Sequence, residues 1–261
     1  MGISSKIHST AIVHSKAIIA QNVEVGPYSI IGEFVEIGEG TVIGNHVTIT
    51  GRTSIGKENK IFHYCSLGES PQDKKYSNEP TMLKIGDRNT IREFCTFNLG
   101  TIQDKKITTI GNDNWIMAYV HIAHDCIIGD NVILANNTSL AGHVEVNDYA
   151  ILGGITGVHQ FCKVGSHSIV AAGSIVFQDI PPFIMAAGYS AKPNGINVEG
   201  LKRRDFSSEE MAIIKKGYKV LYRDGNSLNE ALDILKGMAN ESFLINFYID
   251  FIENSNRGII R

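Results

Sequence analysis

An aliphatic residue recurs at every sixth position through roughly the first 180 residues of this chain. The series runs from Ile7 to Leu67, continues through Ile85, Ile91 and Phe97, and runs again from Ile110 to Val176. A period of six matches neither the 3.6-residue repeat of a helix nor the two-residue alternation of a strand. It is typical of a parallel β-helix, in which three hexads close one triangular coil of about 18 residues. The period therefore predicts which residues lie above one another in successive coils.

The fifth residue of each hexad is small or slender, and we expect it to point into the prism beside the aliphatic residue. All four cysteines occupy this position: Cys65, Cys95, Cys126 and Cys162. A free cysteine behaves as a small hydrophobic residue. The spacing therefore predicts reduced core cysteines and favours neither a metal site nor a disulfide.

The composition indicates a globular protein with one large or two modest domains, because 43% of its 261 residues are hydrophobic. The formal net charge of −3 offers no basic field for nucleic acid. The N-terminus has no hydrophobic signal region, and no apolar run is long enough to span a bilayer. We therefore expect a cytoplasmic protein with no transmembrane segment and no nucleic-acid partner.

The period breaks twice and then ends, which divides the chain into two regions. Residues 1–182 are predicted to form the β-helix, with excursions near 68–84 and 103–109, and residues 183–261 an extended connector and a C-terminal α-helical domain. The repeat resumes 18 positions after Leu67, which suggests that the first excursion occupies one coil. Ser207 or Ser208 is the expected N-cap of a long helix, because acidic residues follow it. The predicted fold class is mainly β with a helical tail.

Counting in hexads brings polar residues from distant segments to one edge of the prism. The hexads that start at Phe97, Ile122, Leu140 and Val158 are predicted to lie on the same face of consecutive coils. Their polar and glycine residues, with His121 just before, form one cluster: Asn98, His121, His124, Asp125, Gly142, His143, His159 and Gln160. Four of the nine histidines meet here, which favours a chemical role over a merely solvent-facing edge.

Three functions are compatible with this cluster. A histidine can act as general base near neutral pH, a carboxylate can fix its tautomer, and a glycine N–H can stabilise an oxyanion, as acyl transfer requires. A zinc hydratase of the γ-carbonic-anhydrase type would use histidine ligands. Its ligand pair is five positions apart, however, whereas His121 and His124 are three apart. The third function is a binding or structural β-helix without chemistry.

Several motifs are more specific than the period: GESPQDKKY, IGDRNTIRE, HIAHDCIIGDNVILANN and NVEGLKRRDFS. Through them the whole chain, including both excursions and the tail, resembles the UDP-N-acetylglucosamine O-acyltransferases of lipid A biosynthesis. The resemblance implies a homotrimer of left-handed β-helices with active sites between neighbouring chains. It also implies transfer of a 3-hydroxyacyl chain from acyl carrier protein to the 3-position of UDP-N-acetylglucosamine. No metal is implied, and no cofactor beyond the phosphopantetheine that arrives with the donor.

The resemblance also assigns roles to residues of this chain. His124 is the implied general base, Asp125 orients it, and the Gly142 N–H is the implied oxyanion donor. The positions that match substrate-binding residues are Gln72, Asp73 and Lys75 in the first excursion, His121, His143, His159 and Gln160 on the edge, and Asn197, Glu199, Arg203 and Arg204 for uridine and phosphates. An arginine fork suits a diphosphate. The run from Lys202 to Arg204 is equally compatible with a solvated surface or with a contact to the acidic acyl carrier protein.

One motif departs from the family pattern. The family commonly has IHRGT where this chain reads FNLGT, so Asn98 and Leu99 stand in place of a histidine and an arginine. Some members of the family use an acceptor with a 3-amino group and form an amide. We therefore keep a 3-amino UDP-sugar as the alternative acceptor, with Asn98 as a substrate-binding candidate, or else a different donor contact. Ala171 and Ala172 lie at the expected floor of the acyl groove, and we expect a medium or long chain.

Overall fold

The computed structural model describes residues 5–240 and 242–261. Short strands dominate it, and four helices follow them. The strands in chain order are β1 (Lys6–Ile7), β2 (Ile12–Val13), β3 (Ile18–Ile19), β4 (Glu24–Val25), β5 (Ile30–Ile31), β6 (Val35–Ile37), β7 (Val42–Ile43), β8 (Thr48–Ile49), β9 (Arg52–Ile55), β10 (Lys60–Ile61), β11 (Ser66–Glu69), β12 (Met82–Ile85), β13 (Thr90–Ile91), β14 (Thr96–Asn98), β15 (Ile107–Ile110), β16 (Trp115–Ile116), β17 (His121–Ile122), β18 (Ile127–Ile128), β19 (Ile133–Leu134), β20 (Ser139–Leu140), β21 (Glu145–Val146), β22 (Ile151–Leu152), β23 (Gly157–Val158), β24 (Lys163–Val164), β25 (Ile169–Val170), β26 (Ile175–Val176), β27 (Ile184–Ala187) and β28 (Lys192–Ile196).

These strands form the three faces of a prism, as the six-residue period predicts. Sheet 1 has 11 strands in the order β1-β4-β7-β10-β13-β16-β19-β22-β25-β27-β28, sheet 2 has nine in the order β2-β5-β8-β11-β14-β17-β20-β23-β26, and sheet 3 has eight in the order β24-β21-β18-β15-β12-β9-β6-β3. Each strand of the prism pairs in parallel with the strand one coil later, whereas β27 and β28 are antiparallel. The predicted parallel β-helix is confirmed.

The core is the stack of hexad-start residues along the prism axis. Ile122, Leu134 and Leu140 have no exposed surface, which is representative of the stack. The four cysteines are free and buried, as predicted from their position. Burial raises the pKa of the Cys126 and Cys162 thiols to about 12, which keeps both in the neutral thiol form. They therefore serve as small apolar core residues.

At most corners the fourth residue of the hexad adopts a left-handed backbone conformation. At the corner between sheets 2 and 3 this applies to Asp125 (φ 59°), His143 (φ 64°) and Phe161 (φ 64°). The repeated conformation points equivalent side chains in the same direction. The rings of His143 and Phe161 accordingly stack, with centroids 4.3 Å apart and planes inclined by 6°. This corner, which we call the active-site corner, carries the predicted functional column.

Both excursions leave the prism at the active-site corner, but neither replaces a coil. Ile55 pairs with Ile85, so the coil with the first excursion is about 12 residues longer than an ordinary coil. The prediction that this excursion occupies a whole coil was wrong. The first excursion is shorter than predicted, since β12 begins at Met82. The second begins and ends earlier than predicted, since β14 ends at Asn98 and β15 begins at Ile107. Pairing between β12 and β15 satisfies the backbone groups of these residues in sheet 3.

The C-terminal segment forms four helices: α1 (Val198–Lys202), α2 (Ser208–Tyr222), α3 (Leu228–Met238) and α4 (Leu244–Glu253). Ser207, one of the two predicted caps, forms a capping box with Glu210 at the start of α2. The tail returns to the prism, where the backbone of Asp179 bridges that of Ile259. Throughout the described part of the chain, we find no helix that combines the length and the apolar composition needed to cross a membrane.

Candidate active site

The strand register brings the predicted column together at the active-site corner. Phe97 pairs with Ile122, Ile122 with Leu140, and Leu140 with Val158. The corner residues that follow these four partners lie one coil apart. Counting in hexads therefore located the column correctly across the second excursion.

A cleft of about 1070 Å³ lies between this corner and the two excursions. Eight predicted site residues line it: Gln72, Asp73, Lys75, Asn98, His121, His124, His143 and Gln160. The cleft is also lined by residues that were not predicted from the sequence: Thr101, Gln103, Asp104, Lys105, Glu145, Lys163, Asn256 and Arg257. Most of these belong to the second excursion, the chain end or the adjacent face of sheet 3.

His124 and Asp125 form a hydrogen-bonded pair at the centre of the cleft. The Nδ1 atom of His124 lies 2.9 Å from Oδ2 of Asp125, whose side chain is fully buried. The backbone N–H of Thr101 donates to both carboxylate oxygens at 3.0 Å, and its hydroxyl donates to Oδ2 at 2.6 Å. With an ionised Asp125 as acceptor, Nδ1 carries the proton and Nε2 of neutral His124 has a free lone pair.

Competing effects set the charge state of Asp125. Burial alone would raise its pKa, but hydrogen bonds from His124 and Thr101 lower the pKa below the ordinary value. The carboxyl is therefore ionised at neutral pH. Thr101 was missed in the sequence because it lies where the second excursion interrupts the hexad count. The sequence signal is weak, since Thr101 stands at the position of the hexad that ordinarily points into the core.

Gly142 lies directly beneath the His124 ring. A Cβ atom at position 142 would lie 2.5 Å from Cε1 and 2.7 Å from Nε2 of His124. Among the described residues, the Gly142 N–H has no hydrogen-bond acceptor. Only a glycine leaves room for the ring here, and an unpaired backbone N–H lies next to it. This pairing of a base with a free N–H suits an oxyanion next to an attacking nucleophile.

Two further histidines flank His124. The Nδ1 atom of His121 lies 2.7 Å from Oγ1 of Thr96, and burial lowers the pKa of His121, which favours its neutral form. The Nδ1 atom of His143 lies 2.7 Å from Oδ2 of Asp104 in the second excursion. The His124 and His143 rings meet edge to face with centroids 5.0 Å apart. The cleft thus holds three imidazoles around one position.

Asn98 lies one coil above His124 and is almost completely buried. Its Nδ2 atom donates to the carbonyl oxygen of Ser70 at 3.2 Å, which ties it to the first excursion. Its Oδ1 atom is buried without a hydrogen-bond partner in the described chain. The neighbouring Leu99 packs in the core. An unpaired acceptor at Asn98 is costly unless a ligand supplies a donor.

Seven predicted site residues do not line the cleft of their own chain: Asp125 and Gly142, which lie against His124, and His159, Asn197, Glu199, Arg203 and Arg204. Asn197 caps α1, accepting from Gly200 N at 3.1 Å and donating to His167 O at 2.9 Å. Arg204 donates to Tyr149 O at 2.9 Å. Tyr149 and His167 occupy the corner between sheets 3 and 1, so α1 with Asn197 and Arg204 is held at a different edge of the prism. His159, in contrast, follows Val158 at the active-site corner.

The contacts of His124, Asp125 and His143 fit hydrogen-bonded pairs better than they fit a metal site. His124, Asp125 and His143 each offer a ligand atom within 4.8 Å of the others. The Nδ1 atoms of both histidines already contact carboxylates, at 2.9 Å and 2.7 Å. The oxygens of Asp125 also accept hydrogen bonds from Thr101. These contacts describe two histidine–carboxylate pairs rather than three ligands that converge on one ion.

Comparison with known proteins identifies the class. Residues 16–51 and 107–142 match the bacterial transferase hexapeptide family (six repeats), and residues 179–260 match the second domain of UDP-N-acetylglucosamine O-acyltransferase. The chain is thus an acyltransferase of the hexapeptide-repeat class, with a helical domain at its C-terminus.

Relatives and solved structures narrow the class to one family. The chain is 64% identical to the acyl-[acyl-carrier-protein]–UDP-N-acetylglucosamine O-acyltransferase of Thiobacillus denitrificans, over 98% of this chain and 99% of that protein. Identity to the same enzyme of Herminiimonas arsenicoxydans is 61%, over 98% and 100%. The crystal structure of the Francisella novicida UDP-N-acetylglucosamine acyltransferase superposes with a TM-score of 0.96 at 48% identity, over 98% of this chain and 94% of that chain.

The chain therefore belongs to the acyl-[acyl-carrier-protein]–UDP-N-acetylglucosamine O-acyltransferase family. The match to solved structures of this family and the hexapeptide repeats confirm the predicted left-handed β-helix. The UDP-N-acetylglucosamine acyltransferase of Acinetobacter baumannii agrees, with a TM-score of 0.95 at 44% identity over 98% of this chain and 99% of that chain.

Proposed function

We propose that this protein transfers a 3-hydroxyacyl chain from acyl carrier protein to the 3-position of UDP-N-acetylglucosamine, the first step of lipid A biosynthesis. The observation that carries the proposal is the His124–Asp125 pair above the unpaired N–H of Gly142. Base, orienting carboxylate and oxyanion donor are the parts that acyl transfer to a hydroxyl needs. The family relationship supports the donor and the acceptor.

The proposed reaction follows from these three groups. The Nδ1–H of His124 donates a hydrogen bond to Asp125 and keeps its proton, so Nε2 is free to remove the proton from the sugar 3-hydroxyl. The oxygen attacks the thioester carbonyl, and the Gly142 N–H stabilises the resulting oxyanion. Collapse breaks the C–S bond, and the departing pantetheine thiolate takes the proton from His124 Nε2. The products are the acylated sugar and the free thiol, with the histidine restored to its neutral form. The thiol carrier arrives with the donor, and no further cofactor is required.

Residues around the pair supply the proposed substrate contacts. Gln72, Asp73 and Lys75 extend from the first excursion into the cleft, opposite His143 and Gln160. We assign the first group to the sugar and the reacting end of the acyl chain. Lys75 supplies a positive charge for an anionic part of either substrate. Both proposed substrates are water-soluble, and we place the reaction in the cytoplasm.

A homotrimer completes the proposal. Glu199 and Arg203 are exposed but lie at a different edge from the cleft of their own chain. A neighbouring copy can bring them to that cleft, where Arg203 would meet the phosphates of the nucleotide. Asn197 and Arg204 would then support this edge through the contacts to His167 and Tyr149.

An exposed aromatic ladder also favours association between copies. Five rings stack along the corner between sheets 1 and 2, with centroids 4.8 to 5.1 Å apart: Tyr28, His46, Tyr64, Phe94 and Tyr119. Tyr28 and Tyr119 are 60% and 54% exposed in the single chain. A continuous apolar strip of this kind is typical of a protein–protein interface. Light scattering of the purified protein should give three chains per particle.

A 3-amino UDP-sugar is the alternative acceptor, because Asn98 stands near the attacking position where the family commonly has a histidine. Purified enzyme should be offered both acceptors and a mixture of 3-hydroxyacyl donors, with products identified by mass spectrometry. Clear preference for the 3-hydroxyl sugar excludes the alternative, and the product masses give the acyl length.

The test of the main proposal is the variant His124→Ala. We expect turnover to fall by about 10²–10⁴-fold, the usual contribution of general-base catalysis. His14→Ala is the matched control, because His14 lies on the same sheet several coils away and outside the cleft. Near-normal turnover of His124→Ala in an intact assembly would show that the base is misassigned. Metal analysis separates the hydratase alternative, since stoichiometric zinc that is required for activity would overturn acyl transfer by this route.

A further inference from the structure

We infer that Asp104 is a positioning residue that sets the tautomer of His143, giving the cleft a second histidine–carboxylate pair beside His124 and Asp125. The inference deepens the proposed acyl transfer and rests on it for the meaning of the kinetic readout. Asp104 belongs to the second excursion, which the hexad repeat does not cover.

The contact between the two side chains is short, and it joins a largely buried ring to a partly exposed carboxylate. Oδ2 of Asp104 lies 2.7 Å from Nδ1 of His143, and the side chains are 32% and 13% exposed. Phe161 stacks on the His143 ring at 4.3 Å, and His124 meets that ring edge to face at 5.0 Å. The ring is thus restricted in rotation by two aromatic neighbours. Asp104 then decides which ring nitrogen carries the proton.

The excursion that carries Asp104 is anchored on both sides of it. Thr101 donates to Asp125 through its backbone and its hydroxyl. Lys105 forms an ion pair with Glu145 at 3.0 Å. The carbonyl oxygen of Lys106 accepts from Met82 N at 2.9 Å. These contacts hold Asp104 over His143, so one short segment orients both histidine–carboxylate pairs.

The charges around His143 come from three elements. Asp104 and Lys105 lie on the excursion, His124 and Asp125 on the preceding coil, with Asp125 Oδ2 4.0 Å from His143 Nδ1. Glu145 and Lys163 lie on the adjacent strands of sheet 3 and form an ion pair with each other at 3.6 Å. Of these groups, Asp104 makes the closest contact with a His143 ring nitrogen.

A fixed tautomer has a chemical consequence in the cleft. When Nδ1–H donates to Asp104, Nε2 of neutral His143 is a hydrogen-bond acceptor. This nitrogen can then accept a hydrogen bond from a hydroxyl or an amide N–H of the bound substrates, next to the attacking position at His124. Without the carboxylate the imidazole is free to carry its proton on Nε2, which would offer a donor where an acceptor is needed.

Asp104→Ala and Asp104→Asn test the inference, with Lys106→Ala as the control from the same excursion. Lys106 has an exposed side chain and lies outside the cleft lining. We expect kcat/KM to fall by about 10-fold or more in both Asp104 variants, as for other residues that orient a functional histidine. The control should keep the wild-type value.

Nitrogen NMR of histidine-labelled protein reads the tautomer directly. In the wild type we expect the His143 resonances of a protonated Nδ1 and an unprotonated Nε2, and in Asp104→Ala a shift towards protonated Nε2. An unchanged His143 spectrum in Asp104→Ala overturns the inference, whether or not activity falls. Unchanged kcat/KM in both variants overturns it as well. The spectrum requires no turnover, so a wild type that fails to transfer acyl groups would reject the proposed function separately.

Discussion

Gly142→Ala is the sharpest perturbation of the proposed site, because it adds one methyl group and removes no polar atom. The new Cβ would lie 2.5 Å from Cε1, 2.7 Å from Nε2 and 3.1 Å from Nδ1 of His124. Carbon atoms prefer separations of about 3.5–4.0 Å, so the ring must move by about 1 Å. Gly142 has no left-handed φ, so alanine causes no backbone strain and keeps the N–H.

The His124 ring cannot move freely to accommodate this methyl group. Its Nδ1 is tied to Asp125 at 2.9 Å, and Asp125 is held by three hydrogen bonds from Thr101. A displacement of about 1 Å costs on the order of 10²-fold in rate, or about 2.7 kcal/mol in activation free energy. We therefore expect a loss in kcat of about 100-fold with a much smaller change in KM.

Steady-state kinetics of four proteins measure this effect: wild type, Gly142→Ala, His124→Ala and the double variant. If Gly142 acts through the His124 ring, the double variant should be no slower than His124→Ala. Gly237→Ala is the control, since a Cβ there meets no atom within 4 Å. A kcat within about threefold of wild type for Gly142→Ala, or a loss that multiplies that of His124→Ala, would refute the reasoning.

Three further changes follow from the structure. Thr101→Val removes the 2.6 Å hydroxyl bond to Asp125, and we expect kcat to fall about tenfold; an unchanged kcat would show that the backbone N–H of Thr101 suffices. Burial lowers the pKa of His167 to about 4. In the unfolded chain the His167 imidazole takes up a proton below about pH 6.5, whereas in the folded chain it does so only near pH 4. The free energy of unfolding should therefore fall by at most about 3 kcal/mol as the pH is lowered from about 6.5 to about 4. Denaturant titrations of His167→Phe should show less of this loss than wild type. Leu134→Ala, in the core, should cost about 2–5 kcal/mol of unfolding free energy, and a smaller cost would indicate a core that can collapse.

The regular part of the site was predictable because the strand register follows the hexad count. Ile122 and Leu140 are one coil apart in the sequence pattern and are paired partners in sheet 2. His124 and Gly142 therefore had to meet at the same corner. The four cysteines were placed in the core by the same argument. Periodic burial permits few alternative registers, since a slip would expose the aliphatic stack.

The contacts that depend on the excursions were not predictable from the period. Thr101 reaches Asp125, and Asp104 reaches His143, only because of the path that the second excursion takes outside the repeat. A loop without periodicity carries no register, so its contacts depend on packing and hydrogen bonding in the folded state. The boundaries at Met82 and Ile107 were missed for a related reason, since sheet pairing extends the strands into segments of irregular sequence.

The six-residue pattern was sufficient to specify the prism, its core and the column that unites His124 with Gly142, because each coil must bury the same positions as the last. Motif resemblance supplied Asn197 and Arg204 as site candidates, but the fold holds them at another edge through His167 and Tyr149. Tertiary structure alone decided that Thr101 donates to Asp125 and that Asp104 contacts His143. Those bonds join residues that are far apart in sequence, and they form only where the closed prism and its excursion bring them within hydrogen-bonding distance.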